Sequence, residues 1–137
     1  MRRFFIAWLA ILGMVFGASL AHAQSVPGVN VAQTLGITDS TAIEGDIVSL
    51  TQNTSELELS KTLGDARMYG VLVEQPLVVY KTNENIPVVS AGEVMVNMTT
   101  IGGPVITGDY VTSSALAGKG QKAETNMRGY MLGYALT

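Results

Sequence analysis

Two aspartates sit in the same local setting, Gly45-Asp46-Ile47-Val48 and Gly108-Asp109-Tyr110-Val111, at an offset of 63 residues (108 − 45). A pair of carboxylates could serve as an aspartic protease dyad or as a glycosidase acid and nucleophile. The residues that follow, Ile47-Val48 and Tyr110-Val111, lack the small hydroxyl-glycine pattern expected beside proteolytic aspartates. Gly-Asp ahead of β-branched residues is instead turn chemistry: Gly supplies a positive φ, and Asp accepts from nearby backbone N–H groups before a strand begins. Asp46 and Asp109, with Gly45 and Gly108, are therefore expected to be structural.

Ser113, Ser114, Lys119 and Lys122 contain the parts of a serine–lysine nucleophile, which needs no histidine. Nothing in their spacing marks an activated serine, and residues 112–120 read as a polar loop between strands. Calcium is not expected, because the acidic residues are scattered without an Asp-x-Asp-x-Asp-Gly loop. Gly102-Gly103-Pro104 and Gly118-Lys119-Gly120 read as tight turns; no Gly-Lys-Ser/Thr follows to make a phosphate cradle. Asn53-Thr54-Ser55 and Asn97-Met98-Thr99 match the glycosylation acceptor pattern, which matters only in a eukaryotic source. Tyr69, Tyr80, Tyr110, Tyr130 and Tyr134 could line a sugar-binding surface, although such residues more often finish a small β core with the hydroxyl at its edge.

The composition narrows the chemistry further. The chain has no Cys, and its single His and single Trp are His22 and Trp8. Both fall in a leader that has the three regions of a secretory signal peptide: Met1-Arg2-Arg3, an apolar stretch over residues 4–20, and Ala21-His22-Ala23. Cleavage is expected after Ala23, leaving Gln24 at the new N-terminus. The rival reading is an uncleaved anchor, since roughly 18 apolar residues nearly suffice to span a bilayer. Gly13 and Gly17 interrupt that run, and Ala21 and Ala23 stand where a peptidase reads, so cleavage is the favoured expectation. Membrane contact is then expected only if the leader is retained.

Removing 23 residues leaves 114 (137 − 23), with 6 basic (8 − 2) against 11 acidic side chains and a net charge of −5. That balance disfavours nucleic acid, and no basic cluster offsets it. Lack of Cys and His removes the usual zinc, copper and haem ligands and the serine–histidine and cysteine–histidine systems. No cofactor, no metal and no enzymatic activity are expected.

The elements that must position these residues are short. Residues 24–40 read as a flexible lead-in containing one strand at 29–35. Beyond it, β-branched runs at 46–51, 68–73, 77–81, 87–89, 93–98 and 110–113 alternate with turn residues, which indicates an all-β domain over 41–137, barrel or sandwich-like. Residues 77–89 read as a hairpin with Thr82-Asn83-Glu84-Asn85 at its turn. Residues 57–68 are the one helical candidate, weakened by Gly64.

The offset of 63 recurs beyond the aspartates. Ile43 and Ile106 precede the two motifs, and Gly70 and Gly133 follow each first glycine by 25 residues (70 − 45, 133 − 108). Two copies of one β unit, 43–73 and 106–136, are expected to pack on a shared core.

Gly45-Asp46-Ile47-Val48-Ser49, Tyr69-Gly70-Val71-Leu72-Val73, Gly103-Pro104-Val105-Ile106-Thr107-Gly108-Asp109-Tyr110-Val111-Thr112-Ser113-Ser114 and the closing Gly133-Tyr134-Ala135-Leu136 carry a resemblance. Across residues 41–137 the chain resembles secreted, mostly uncharacterised bacterial β domains, and is similar to β domains attached to phage tail appendages and bacterial surface proteins. The resemblance implies fold and location, and no catalytic residue transfers with it. The expected role is structural or interactive at the cell surface or outside the cell, as a homo-oligomer or with an envelope partner. A ligand- or glycan-binding module using the tyrosines is the alternative, and a serine–lysine hydrolase or self-cleaving domain the third reading.

Overall fold

The computed structural model describes residues 28–52, 56–80, 86–127 and 129–136, with the side chain of Ile86 excepted. The leader, with Ala21, Ala23 and Gln24, lies outside the described residues, as do Asn53 and the turn at 82–85. Among the described residues there is no helix, and the domain is all-β.

The strands are β1 Asn30–Ile37, β2 Ile47–Leu50, β3 Glu56–Leu59, β4 Met68–Leu72, β5 Val78–Tyr80, β6 Ile86–Gly92, β7 Tyr110–Ser113, β8 Gly120–Lys122 and β9 Gly133–Tyr134. The first sheet runs β3-β2-β4-β6-β1-β5, and an added β3–β1 pairing closes five of its strands into a barrel. The second sheet has the order β8-β7-β9.

Side-chain alternation places the core inside the barrel. In β3 the sequence Glu-Leu-Glu-Leu turns Leu57 and Leu59 inward, where they meet Val48, Leu72 and Val88. Burial at these positions stabilises the barrel by about 1.5–3 kcal/mol per large side chain. Leu35, Ile37, Ala42, Leu50 and Tyr69 pack around that cluster. The buried interior extends into the second sheet as Val111, Thr112 and Ser113, two of which are hydroxyls.

Four expectations change. Within the segment read as a lead-in, β1 is an integral barrel strand that uses both edges: β6 lies antiparallel on one, while β5 and β3 lie parallel along the other. The expected hairpin at 77–89 does not form, because β5 and β6 flank β1 instead of pairing with each other. Local turn signals could not reveal a third strand between them. The strand expected at 93–98 is also missing. Gly92 takes φ 119° at the end of β6, and the chain leaves the ladder there. Its period of two survives in part: Val94 and Val96 are half-buried, and Met95 is 85% exposed. The helical candidate at 57–68 is β3 followed by turns.

The pairings of the two sheets correspond at an offset of 63. In the barrel, Val48↔Leu59, Ser49↔Glu58, Leu50↔Leu57, Ile47↔Val71 and Val48↔Gly70 are partners. In the second sheet the partners are Val111↔Lys122, Thr112↔Gln121, Ser113↔Gly120, Tyr110↔Tyr134 and Val111↔Gly133.

Candidate functional site

The Gly-Asp turns form as turn chemistry dictates. Gly45 and Gly108 have φ of 84° and 89°, a region costly to any residue with a Cβ. Asp46 Oδ2 accepts from Ile43 N–H at 3.2 Å, and Asp109 Oδ2 from Ile106 N–H at 2.9 Å. Gly45 N–H donates to Leu72 O and Gly108 N–H to Ala135 O, which ties each turn to the strand across from it. Gly70 sits where β4 meets β6, and a Cβ there would collide with the Val89 carbonyl. Gly133 faces open space.

The two carboxylates do not form a dyad, because each engages its own lysine. Asp46 is 2% exposed, and its Oδ1 receives Lys119 Nζ at 2.7 Å and Asn97 Nδ2 at 2.8 Å. Gly118 fits against it: a Cβ at that position would lie 2.7 Å from Asp46 Cγ. This clasp joins the barrel to the loop before β8, and Ile47 N–H donates to Gly118 O while Gly118 N–H donates to Ser60 O. Asp109 meets Lys122 Nζ at 2.8 Å on a more open surface. The hydrogen bond from Lys122, aided by Ile106 N–H, lowers the Asp109 pKa below the ordinary aspartate value.

The serine–lysine parts are likewise held apart. Ser114 is fully buried, and its hydroxyl donates to Leu116 O and accepts from Leu116 N–H, both at 3.1 Å. Lys119 and Lys122 are engaged by the two aspartates. Ser113 Oγ donates to Thr62 O at 2.7 Å and accepts from Asp65 N–H at 2.9 Å, which again ties the second sheet to the barrel.

A buried hydroxyl cluster escaped the sequence reading. Ser49 Oγ and Ser60 Oγ share a hydrogen bond of 2.8 Å, and Ser60 Oγ lies 3.5 Å from Asp65 Oδ2. Ser49 and Ser60 have no exposed surface, so a substrate has no access to them. Their signal in the sequence was weak, a serine inside a β-branched run and a Ser-Lys pair at the end of β3. Asn97, noted as a glycosylation acceptor, spends its amide on Glu44 O and Asp46.

The tyrosines divide. Tyr69 is half-buried, with its hydroxyl donating to Gln33 Oε1 at 3.1 Å. Tyr80 and Tyr130 are exposed. Tyr110 and Tyr134 stand directly opposite each other on β7 and β9, 63% and 64% exposed. The corresponding barrel positions are Ile47 and Val71, 0% and 1% exposed, with Gly120 packed against the Ile47 side chain. A groove of about 290 Å³ runs between β4, β6 and Met131-Leu132, and none of its lining residues is charged. Among the described residues no cluster of three or more His, Cys, Asp or Glu could hold a metal, and no helix is long and apolar enough to cross a membrane.

Comparison with family models, curated proteins and solved structures finds no match.

Proposed function

We propose that this chain is an exported, non-enzymatic β protein with a structural or interaction role at the cell surface or in the extracellular space. The observation that carries the proposal is the Tyr110–Tyr134 pair, an exposed aromatic face at positions whose barrel counterparts are covered. Exposed apolar faces of this kind serve as contact surfaces. The groups that could have done chemistry, Asp46, Ser113, Ser114 and Lys119, are spent on joining the two sheets or closing a turn. We read the corresponding pairings at an offset of 63 as duplication of one β unit, the second copy docked on the first. The leader pattern and the resemblance to secreted bacterial β domains support export.

Two measurements test the proposal. Mass spectrometry of the protein in its own host should find an N-terminus at Gln24, in the envelope or the medium. A full-length cytoplasmic chain would overturn export. Serine-directed fluorophosphonate probes should leave the purified protein unlabelled, and labelling lost in Ser114→Ala would overturn the non-enzymatic reading.

The same tyrosine pair supports a second reading, a glycan-binding module. Binding on a glycan array that disappears in Tyr134→Ala would favour it over the first.

A further inference from the structure

The outer edge of β4 in the barrel is occupied. It pairs with β6 through Val71↔Val89 and Leu72↔Val88, and Val73 N–H donates to Pro87 O. The residues 63 positions further on are Tyr134, Ala135 and Leu136. Ala135 is committed to the β7 side, donating to Asp109 O and accepting from Gly108 N–H, both at 2.8 Å. Strand alternation therefore turns the N–H and C=O groups of Tyr134 and Leu136 to the outer side. Among the described residues no strand lies beyond β9. The opposite edge of this sheet is covered, since Gly120 N–H donates to Asn97 O and Thr99 N–H donates to Gly120 O.

Natural proteins guard open edges with lysine, proline, inward charge or a very short edge strand. β9 is two residues long, but residues 131–136 (Met-Leu-Gly-Tyr-Ala-Leu) carry no lysine, proline or charge, and the bonds of Ala135 to β7 extend the edge beyond Tyr134. Nearby, Asp109 and Lys122 neutralise each other. Two negatively charged copies can approach at this neutral edge without local repulsion.

We propose that the outer edge of β9 pairs antiparallel with β9 of a second copy of this chain, across a twofold axis at Ala135. This deepens the interaction role proposed above and rests on it. An antiparallel edge is complementary to itself, so the contact is isologous and closes at two copies. Tyr134 faces Leu136 of the second copy and the reverse, giving about four backbone hydrogen bonds. Tyr110 and Tyr134 are direct partners on one face, and alternation continued past Ala135 puts Leu136 on that face; these side chains, 63%, 64% and 49% exposed, pack across the seam. Because Tyr110, Tyr134 and Leu136 are only partly exposed, the patch on each copy supplies at most about half of the ~800 Å² per partner of a standard interface, and the backbone ladder supplies the rest of the contact.

Light scattering on protein purified from expression of the full chain decides the matter. The mass expected is twice that of one chain. Leu136→Pro removes an outward donor and leaves the bonds of Ala135 to β7 in place; Tyr134→Asp puts charge on the seam. Both variants should fall to the monomer mass with an unchanged circular dichroism spectrum. Should Leu136→Pro lose its fold, Tyr134→Asp decides alone. A wild-type monomer up to about 1 mM, or a doubled mass that survives both substitutions, overturns the pairing. So does a monomer that binds an added peptide with the β6 sequence, because the edge then takes a foreign strand. None of these results bears on export or on the probe experiment, so this inference and the proposed function can fail separately.

Discussion

Asp46 and Lys119, 73 residues apart in sequence, meet at 2.7 Å in the seam between the barrel and the second sheet. The carboxylate is almost wholly enclosed, while the lysine side chain keeps 31% of its surface in solvent. Removing Lys119 leaves the buried Asp46 carboxylate with the Asn97 amide and the Ile43 N–H but without its counter-charge. Lys119→Met should therefore cost about 1.5–3 kcal/mol in urea unfolding. Adding Asp46→Asn should recover part of that loss, since the stranded charge is gone. Strictly additive losses would show that the pair does not couple the two sheets.

Gly118 and Gly108 separate two costs that usually come together. Both have positive φ, 72° and 89°, but a Cβ on Gly118 would press on Asp46, and a Cβ on Gly108 would meet nothing within 4 Å. Gly108→Ala should cost only the backbone term, about 1–2 kcal/mol. Gly118→Ala should lose more and should open the Asp46–Lys119 contact. Equal shifts in thermal unfolding would remove the claim that Gly118 seats the clasp.

Much of the strand content was legible because it is written locally. β2 and β7 hold β-branched pairs started by Gly-Asp turns, and β4 is an apolar run between turn residues, so composition and turn chemistry place them within a residue or two. The closure of the barrel was not legible. It depends on β1 taking β6 on one edge and both β5 and β3 on the other, a choice made by tertiary packing. The alternation at 93–98 misled for a related reason: it reflects one half-buried side, and burial does not require a ladder. At the candidate site, Asp46 and Asp109 each accept from the N–H three residues earlier, the contact that the Gly-Asp pattern leads one to expect. Asn97 and Lys119 could not be assigned to Asp46, since only the docking of the loop before β8 brings them there.

The Ser49–Ser60 hydrogen bond is a test of buried polar pairing. Ser49→Ala leaves Ser60 Oγ with only the long 3.5 Å approach to Asp65, so the loss should be about 1–3 kcal/mol. Removing both hydroxyls should cost less than the sum of the two single substitutions, because no orphan remains. Chemical denaturation of the two single variants and the double variant supplies the comparison. A double variant at or beyond the sum would show that the hydroxyls act independently.

Asp109 and Asp39 are both shifted below the ordinary aspartate pKa, for different leading reasons. At Asp109 the hydrogen bond from Lys122 is the largest cause, followed by the Ile106 N–H. At Asp39 the largest is the Thr41 hydroxyl, which donates at 2.7 Å, and Lys61 contributes less. A lowered carboxylate pKa stabilises the fold above the unfolded-state value, and the contribution is lost as pH falls through the folded-state value. Carboxyl NMR titration should therefore place both midpoints below that of an unstructured aspartate. Lys122→Met should raise the Asp109 midpoint, leaving the part due to Ile106 N–H. Lys61→Met should move Asp39 less than Thr41→Val does. If Lys61→Met moved Asp39 the further of the two, the hydroxyl would not be the main cause; an Asp109 midpoint indifferent to Lys122→Met would leave the backbone turn alone holding that charge.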